Sequence, residues 1–532
     1  MRAAENASHR LTLPPDAAGS AAGRLVRSAR RPAAVRYSFH MHPGAGRALR
    51  GGSVLALLAA AILVGVTARI ALLAEKPLWS DEIFTLTLAR QPTAEIVEAL
   101  RLDSGPPLHY VLARLVLLPL GASPGPSDIA VRILSLAASL LHLPLLVLVA
   151  RRLGRPEAGL PAAALYALFP IAVDYAAEGR AYAIASLLVL AAFERALAMR
   201  EQPTAGRAVA LAFATGGAVL FHYLALFPVA GLAALFLSST GRTRRLLTAA
   251  GGGGALLFLP WLPVALRQPS ASMAWSREAP FAMAPLHLPV NLGFGISSLS
   301  GGLALLVPLS LLVLGAALFA AWRSAFRPVA AVLLAGVSLL LLAHLALRAV
   351  LLPERSAVLF LPLVALLLAG APRPVPLLCA AASLVGLVLS LRSMAAPSPG
   401  ETLAGLVRPL VAEGRSVCAT GLWGPELDYR LARAGLPGRV VLFPSDVVRH
   451  RGWYHEEEAG SDRLLAEARA LAASSSRPAL FVLPRGSRAA DALRAALGPL
   501  VPRPVAGSPL VEVLEVPGPS PAGARLAVPS VP

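Results

Sequence analysis

Stretches of about twenty consecutive apolar residues recur along this chain, the length a helix needs to cross the hydrocarbon core of a bilayer. Segments that long, met by lipid rather than water, must satisfy their backbone polar groups internally and so fold as helices. The expected spans are 53–74, 128–150, 159–176, 181–199, 207–222, 223–240, 246–266, 298–321, 328–351, 356–371 and 375–391. Composition agrees: 56% of residues are hydrophobic and only 14% charged, far from a soluble average. The expected fold class is a polytopic α-helical membrane protein with about 11 transmembrane helices.

The formal net charge of +19 could suggest a nucleic-acid binder, but the cations are almost all arginine and Lys76 is the only lysine. Many of them sit in short loops between apolar runs, where basic residues orient a membrane protein. Nucleic acid is therefore not an expected partner. Two cysteines, Cys379 and Cys418, do not make a disulfide framework. Residues 1–50, rich in Ala, Pro, Gly and Arg, read as a disordered basic tail. The first apolar run lacks a small-residue cleavage site after it and reads as a retained anchor.

Orientation turns on residues 106–121, "PPLHYVLARLVLLPLG". The segment is short, holds His109 and Arg114, and makes a poor span. With it lying on the membrane, twelve loop arginines fall on one side, from Arg151 and Arg152 through Arg242, Arg244 and Arg245 to Arg373. Five fall on the other: Arg180, Arg267, Arg277, Arg348 and Arg355. The richer side and the Arg-rich tail are then both cytoplasmic. The expected organisation is a cytoplasmic tail 1–50, a transmembrane domain 51–392 whose outer loop 75–127 carries interfacial helices, and a second domain at 398–516. In that second domain β-rich runs ("SVCAT", "RVVLF", "ALFVL", "LVEVLEV") alternate with helical ones ("PELDYRLARAG", "SDRLLAEARALAA", "SRAADALRAAL"). This reads as an extracytoplasmic α/β domain, followed by a flexible Pro-rich tail, 517–532.

Polar residues gather at the outer ends of the spans. Directly after the first span stands "EKPLWSDEIF", with Trp79, Asp81 and Glu82, followed in the same loop by Asp103, His109 and Tyr110. The turn "VDYAAEGRAY" adds Asp174, Glu178, Arg180 and Tyr182, and later turns add His222, Tyr223, Glu354 and Arg355. The loop 267–297 brings Trp275, Arg277, Glu278 and His287. Interfacial charges can simply stop spans, and Trp and Tyr can form an aromatic belt. A stop signal needs no carboxylates, however, and these concentrate at one end of the spans. The "HEEE" at 455–458 lacks metal-ligand spacing and reads as a solvated loop.

The order of "PLWSDE", "DSGPPLHYVL", "AEGRAY" and "PERSAVLFLP" resembles the GT-C superfamily of membrane glycosyltransferases, in the branch of protein mannosyltransferases and the lipid A aminoarabinose transferase. The resemblance covers about residues 60–225 and the short match near 354. It implies transfer of a sugar from a polyprenyl-phosphate carrier to an acceptor on the extracytoplasmic side. It also implies that Asp81 is the catalytic base or its close partner, with Glu82 beside it as the second catalytic carboxylate. The substrate-binding residues it implies are Asp103, Tyr110, Glu178, Arg180, Tyr182 and Arg355, and Trp79, His109 and His222 join the expected set from their place at the outer face. The tyrosine usual after the late arginine is Ser356 here.

The chemistry is coherent. A carboxylate can take the proton of an acceptor hydroxyl, and arginines can stabilise the departing lipid phosphate. Attack from the side opposite that phosphate implies inversion. A divalent cation (Mg or Mn) held by Asp81, Asp174 and Glu178 is compatible with hard-cation chemistry, though no cofactor is required. The expected partners are a polyprenyl-phosphate sugar donor, membrane lipid, and an acceptor that is a glycan, a lipid or a protein. The expected location is a bacterial cytoplasmic (inner) membrane. The alternative is a transporter or lipid-carrier flippase, which would carry interrupted spans and ionisable groups near the midplane.

Overall fold

A computed structural model describes residues 45–120, 126–268, 284–297, 303–347, 353–421, 423–445, 460–474, 478–507 and 511–516. The first 44 residues of the expected tail, the tail 517–532, the residues Trp275, Arg277 and Glu278, and "HEEE" lie outside the described residues. Two compact units divide the chain, residues 1–52 and 53–532. The second contains everything that follows except residues 45–52, the start of the first helix.

The chain is mostly helical. In order come α1 (Ala45–Glu75), α2 (Ser80–Ala89), α3 (Thr93–Arg101), α4 (Leu108–Leu117), α5 (Pro126–Arg152), α6 (Gly159–Leu168), α7 (Pro170–Ala176), α8 (Tyr182–Glu201) and α9 (Ala205–Phe221). After these run α10 (Leu226–Gly231), α11 (Ala233–Leu237), α12 (Gly241–Phe258), α13 (Leu262–Ala265), α14 (Ala284–Phe294), α15 (Leu303–Trp322) and α16 (Arg327–Leu347). Then come α17 (Pro353–Ala357), α18 (Leu361–Ala369) and α19 (Pro374–Met394). Helix α1 starts at Ala45, inside the stretch expected to be tail.

Six described helices are long and apolar enough to cross a membrane: Gly52–Glu75, Asp128–Arg152, Tyr182–Glu201, Leu305–Trp322, Arg327–Leu347 and one within Pro374–Ala412. The bent pair α6–α7, turned by 68°, makes a seventh if counted as one span. The remaining expected crossings fall on shorter or interrupted helices, and the reasons are local. The run 223–240 is divided between α10 and α11, and α18 is only 9 residues long. The glycines of α12 lower its apolarity but let it approach α9: a Cβ on Gly254 would stand 2.3 Å from Thr215 Oγ1, the close approach that small residues permit between helices.

In the segment 106–121, expected to lie on the membrane without crossing it, residues 108–120 form the short helix α4 and a following 3₁₀ turn. The main apolar core is built from α5, α6, α8, α9, α16 and α18 around buried residues such as Tyr166, Phe193, Phe326 and Phe360.

The bend between α6 and α7 has a clear cause and a specific remedy. Pro170 has no N–H to give Tyr166, and the Ile171 N–H donates to the Gly295 carbonyl at 2.8 Å instead of to Ala167. Two carbonyls are thus orphaned within an apolar core. Arg69, 1% exposed on α1, meets both: it donates to Ala167 O at 2.6 Å and to Tyr166 O at 3.1 Å. It also bonds Ser139 Oγ at 2.9 Å and Gly65 O at 2.8 Å. Gly65 makes this approach sterically allowed, since a Cβ there would stand 2.1 Å from Ala167 O. Arg69→Leu is expected to destabilise the fold by about 1–3 kcal/mol for each carbonyl left unmet. A thermal-unfolding midpoint in detergent equal to wild type would contradict this role.

The residues after α19 form α20 (Pro399–Ala412), α21 (Trp423–Arg433), α22 (Ser461–Ala473) and α23 (Arg488–Leu497) around a five-stranded sheet. Its strands are β1 (Val417–Thr420), β2 (Val440–Phe443), β3 (Leu480–Pro484), β4 (Arg503–Gly507) and β5 (Val511–Glu515), in the order β2-β1-β3-β5-β4. Strands β1, β2 and β3 are parallel, with Val417 opposite Val440 and Leu480. β5 runs antiparallel to both β3 and β4. Alternate residues face opposite sides. Cys418, Phe481 and Leu483 pack with α22 and α23, while Val417, Ala419, Leu480 and Val482 pack with α20 and α21.

Candidate active site

The segment joining α1 to α2 is fixed by a buried ion pair. Glu82 and Arg132 are 0% and 2% exposed, and the guanidinium forks onto the carboxylate at 2.7 and 2.6 Å. The same carboxylate accepts the Gly179 N–H at 2.7 Å and lies 3.4 Å from the Trp79 N–H. Arg132 also donates to the carbonyls of Lys76 (2.5 Å) and Pro77 (3.0 Å). Glu82 therefore ties α5, the 177–181 turn and the entry to α2 together. Its oxygens are used by donors from the fold, so this carboxylate sits as a positioning group rather than at a reacting position.

Asp81, the adjacent residue, turns the other way. Successive positions on a helix are about 100° apart, so one carboxylate of the pair enters the core and the other faces the site. The Asp81 side chain is 5% exposed, with Arg180 Nη2 and Arg355 Nη2 at 3.4 and 3.5 Å from Oδ2. The two arginines arrive from different elements, one from the 177–181 turn and one from α17. Both guanidiniums resist deprotonation: burial acts against them, but nearby Asp81 and the phenolic groups raise them further.

Aromatic groups line the surroundings. The Arg355 guanidinium lies 5.6 Å from the Trp79 ring centre. Tyr182 packs against Tyr175 (4.9 Å between centroids) and His222 (4.4 Å). His109 bonds the Gly179 carbonyl at 3.0 Å and stands edge-on to Tyr110 at 5.6 Å. Burial lowers its imidazole to about 4, with Arg180 adding to the fall against the bond to Gly179, so His109 is neutral near pH 7. Asp103, 6% exposed, acts on Arg180 and Tyr110 through its charge. Among the described residues, Trp79 Nε1 and Ser356 Oγ are buried with no hydrogen-bond partner. Trp79, Asp81, Asp103, His109, Tyr110, Arg180, Tyr182, His222 and Arg355 thus share one neighbourhood.

Glu178 lies beside it, with a different task. Lys76 Nζ bridges Asp174 Oδ1 at 2.7 Å and Glu178 Oε1 at 2.9 Å. Lys76 thus stands between two of the three carboxylates expected to hold a cation. The position between Asp174 and Glu178 is filled by an ammonium, and Asp81 faces guanidiniums instead of joining those carboxylates. Among the described residues no group of three or more His, Cys, Asp or Glu is arranged to hold a metal ion.

Burial raises Glu178 to about 7 from its ordinary 4.5, with Lys76 pulling down and Asp174 and Glu82 adding to the rise. The folded chain then holds a proton that the unfolded chain releases, so stability falls as pH rises from about 4.5 to 7. Glu178→Gln is expected to flatten that slope in thermal melts recorded across this window. An unchanged slope would place the proton elsewhere.

Sequence reasoning missed Lys76 and Arg132. The first was signalled by being the chain's single lysine, the second by being a charge within an apolar run.

Residues 104–265 match the family model for dolichyl-phosphate-mannose-protein mannosyltransferases. The chain is similar to GT-C membrane glycosyltransferases. The matched segment holds His109, Tyr110, Glu178, Arg180, Tyr182 and His222, while Asp81 and Arg355 fall outside it. No curated protein sequence matches the chain. Among solved structures it is similar to ArnT from Cupriavidus metallidurans in the apo state, at 17% identity and TM-score 0.46, covering 87% of this chain and 98% of that one. ArnT bound to undecaprenyl phosphate gives 16% identity, TM-score 0.45 and the same coverages. The archaeal oligosaccharyltransferase AglB from Archaeoglobus fulgidus, in complex with an inhibitory peptide and a dolichol-phosphate, gives 11% identity and TM-score 0.45 over 73% of this chain and 64% of that one.

Proposed function

We propose that this multi-pass membrane protein transfers a sugar from a polyprenyl-phosphate-linked donor to an acceptor hydroxyl at the extracytoplasmic face, with inversion and with Asp81 as the base. One observation carries the reading: a nearly buried carboxylate faced by two arginines from separate elements, beside the end of an apolar helix. Their separations of 3.4 and 3.5 Å exceed the ~2.7–2.9 Å of a strong charge-assisted bond. Each guanidinium presents several N–H donors in a planar fork, the geometry that matches a phosphate. The family model's description supports a lipid-phosphate sugar as the donor class.

In the reaction the acceptor oxygen forms a bond to the anomeric carbon as its proton passes to Asp81. The bond from that carbon to the phosphate oxygen breaks, and its electron pair leaves on the phosphate, where Arg180 and Arg355 stabilise the developing charge. Attack opposite the leaving group gives inversion. Trp79 and Tyr182 offer faces on which a sugar ring can stack. Arg69 and Arg132, charges within apolar helices, are occupied by carbonyls, Ser139 and Glu82.

Arg355→Ala removes one charge-assisted donor, worth about 1.5–3 kcal/mol, and is expected to lower kcat/KM for the lipid donor by roughly 10- to 100-fold. Initial rates with radiolabelled polyprenyl-phosphate sugars in membranes test this. A variant with wild-type kcat/KM would remove Arg355 from the phosphate site.

A further inference from the structure

The entry to α2 is gripped from a second side, by a helix more than three hundred residues later in the chain. On α21, Glu426 and Arg430 stand one turn apart and pair at 2.7 Å, their side chains 5% and 9% exposed. Glu426 Oε2 accepts the Ser80 hydroxyl at 3.0 Å. Arg430 Nη2 donates to the Leu78 carbonyl at 2.5 Å and to Ser398 Oγ at 2.7 Å. These bonds land on the two residues flanking Trp79, and Ser80 is the immediate neighbour of Asp81. Gly400 shows how closely the pair is packed, since a Cβ there would stand 1.9 Å from Glu426 Oε1.

A separate contact holds the same helix to α5. Tyr429 donates its hydroxyl to Asp128, and Arg433 pairs with Asp128 at 2.6 Å. Docking of α21 is thus anchored independently of residues 78–80. The Glu426–Arg430 pair adds something that docking alone does not require: it fixes a backbone carbonyl and a side chain in the segment that aims Asp81.

We propose that Glu426 and Arg430 are positioning residues, a clasp through which the C-terminal α/β region sets the register of Asp81. With Glu82 and Arg132 on the other side, the clasp confines residues 78–82 between two buried ion pairs. Asp81 is then left one orientation, toward Arg180 and Arg355. The clasp touches neither arginine, so it acts on turnover and not on capture of the lipid phosphate. The kinetic half of this inference rests on the sugar-transfer reading; the structural half does not.

Full-length protein in nanodiscs provides the test, with Ser80→Ala, Arg430→Ala and Arg433→Ala compared with wild type. A shift of about 1 Å in a reacting group can lower a rate about 10²-fold. Arg430→Ala is therefore expected to lower kcat about 10- to 100-fold while the donor KM stays within about twofold. Ser80→Ala, a milder change, is expected to move kcat in the same direction, and Arg433→Ala to leave it within about twofold. Backbone amide exchange over residues 78–90 is expected to quicken in Arg430→Ala and Ser80→Ala but not in Arg433→Ala. Unchanged exchange in the first two variants, or a parallel fall in kcat for Arg433→Ala, would overturn the clasp. If wild type transfers no sugar, the functional reading fails, and the exchange pattern still decides whether the clasp exists.

Discussion

Asp81→Asn is expected to lower sugar transfer by about 10²–10⁴-fold, the range lost when a general base is removed, while the protein still captures polyprenyl phosphate. The two effects separate because the substitution keeps the side chain's shape and deletes only its charge. Arg180 and Arg355 lose the negative charge that stood 3.4 and 3.5 Å away, and with it the competitor of a phosphate for their own charge. Capture is therefore expected to be equal to wild type or tighter. Kinetics with a photoactivatable polyprenyl phosphate as the binding probe separate turnover from capture. Loss of both together would mean that Asp81 holds the site in shape and takes no proton.

Arg132→Met is expected to destabilise the fold by about 3–5 kcal/mol, because it strands a buried carboxylate. Glu82, 0% exposed, would keep only N–H donors from Gly179 and Trp79, and the carbonyls of Lys76 and Pro77 would lose their donor. The double variant Glu82→Gln/Arg132→Met is expected to be more stable than Arg132→Met alone, since a buried pair replaced as a unit leaves no lone charge. Melting temperatures of the four proteins in one detergent close this cycle. Additive losses would mean that the two residues do not act as a pair.

Glu82 also shows what a sequence can and cannot reveal. "SDE" at the end of an apolar run marked a charged wall at the membrane edge, and the structure brings Asp81 there with Arg180 and Arg355. Which of two adjacent carboxylates turns inward depends on the angle at which α2 enters the bundle, and that is set by Arg132 and Gly179, distant in sequence. Both carboxylates therefore read alike.

The place of Lys76 was hidden for a related reason. Asp174 and Glu178 stand four apart, which suits a shared cation, and nothing in the sequence said that the cation would be Lys76. The apolar runs announced a helical membrane protein, but length in sequence was not length in space. Pro170 bends one run, and another is divided between α10 and α11.

In the C-terminal region, apolar β-rich runs foretold β1, β2, β3 and β5. β4, "RPVAG", carries a proline and too few apolar residues to stand out as a strand, and α20 was hidden behind the apolar run before it. The contact of Glu426 with Ser80 spans 346 positions and belongs to tertiary packing alone.

The central claim is tested most directly by supplying purified wild-type protein in liposomes with radiolabelled polyprenyl-phosphate sugars, one donor at a time with candidate acceptors, and following the label. The expected result is label moving to an acceptor and free polyprenyl phosphate accumulating in equal amount, both lost with Asp81→Asn. Label that stays on the carrier and merely changes leaflet, unaffected by Asp81→Asn, would contradict it and identify a flippase instead.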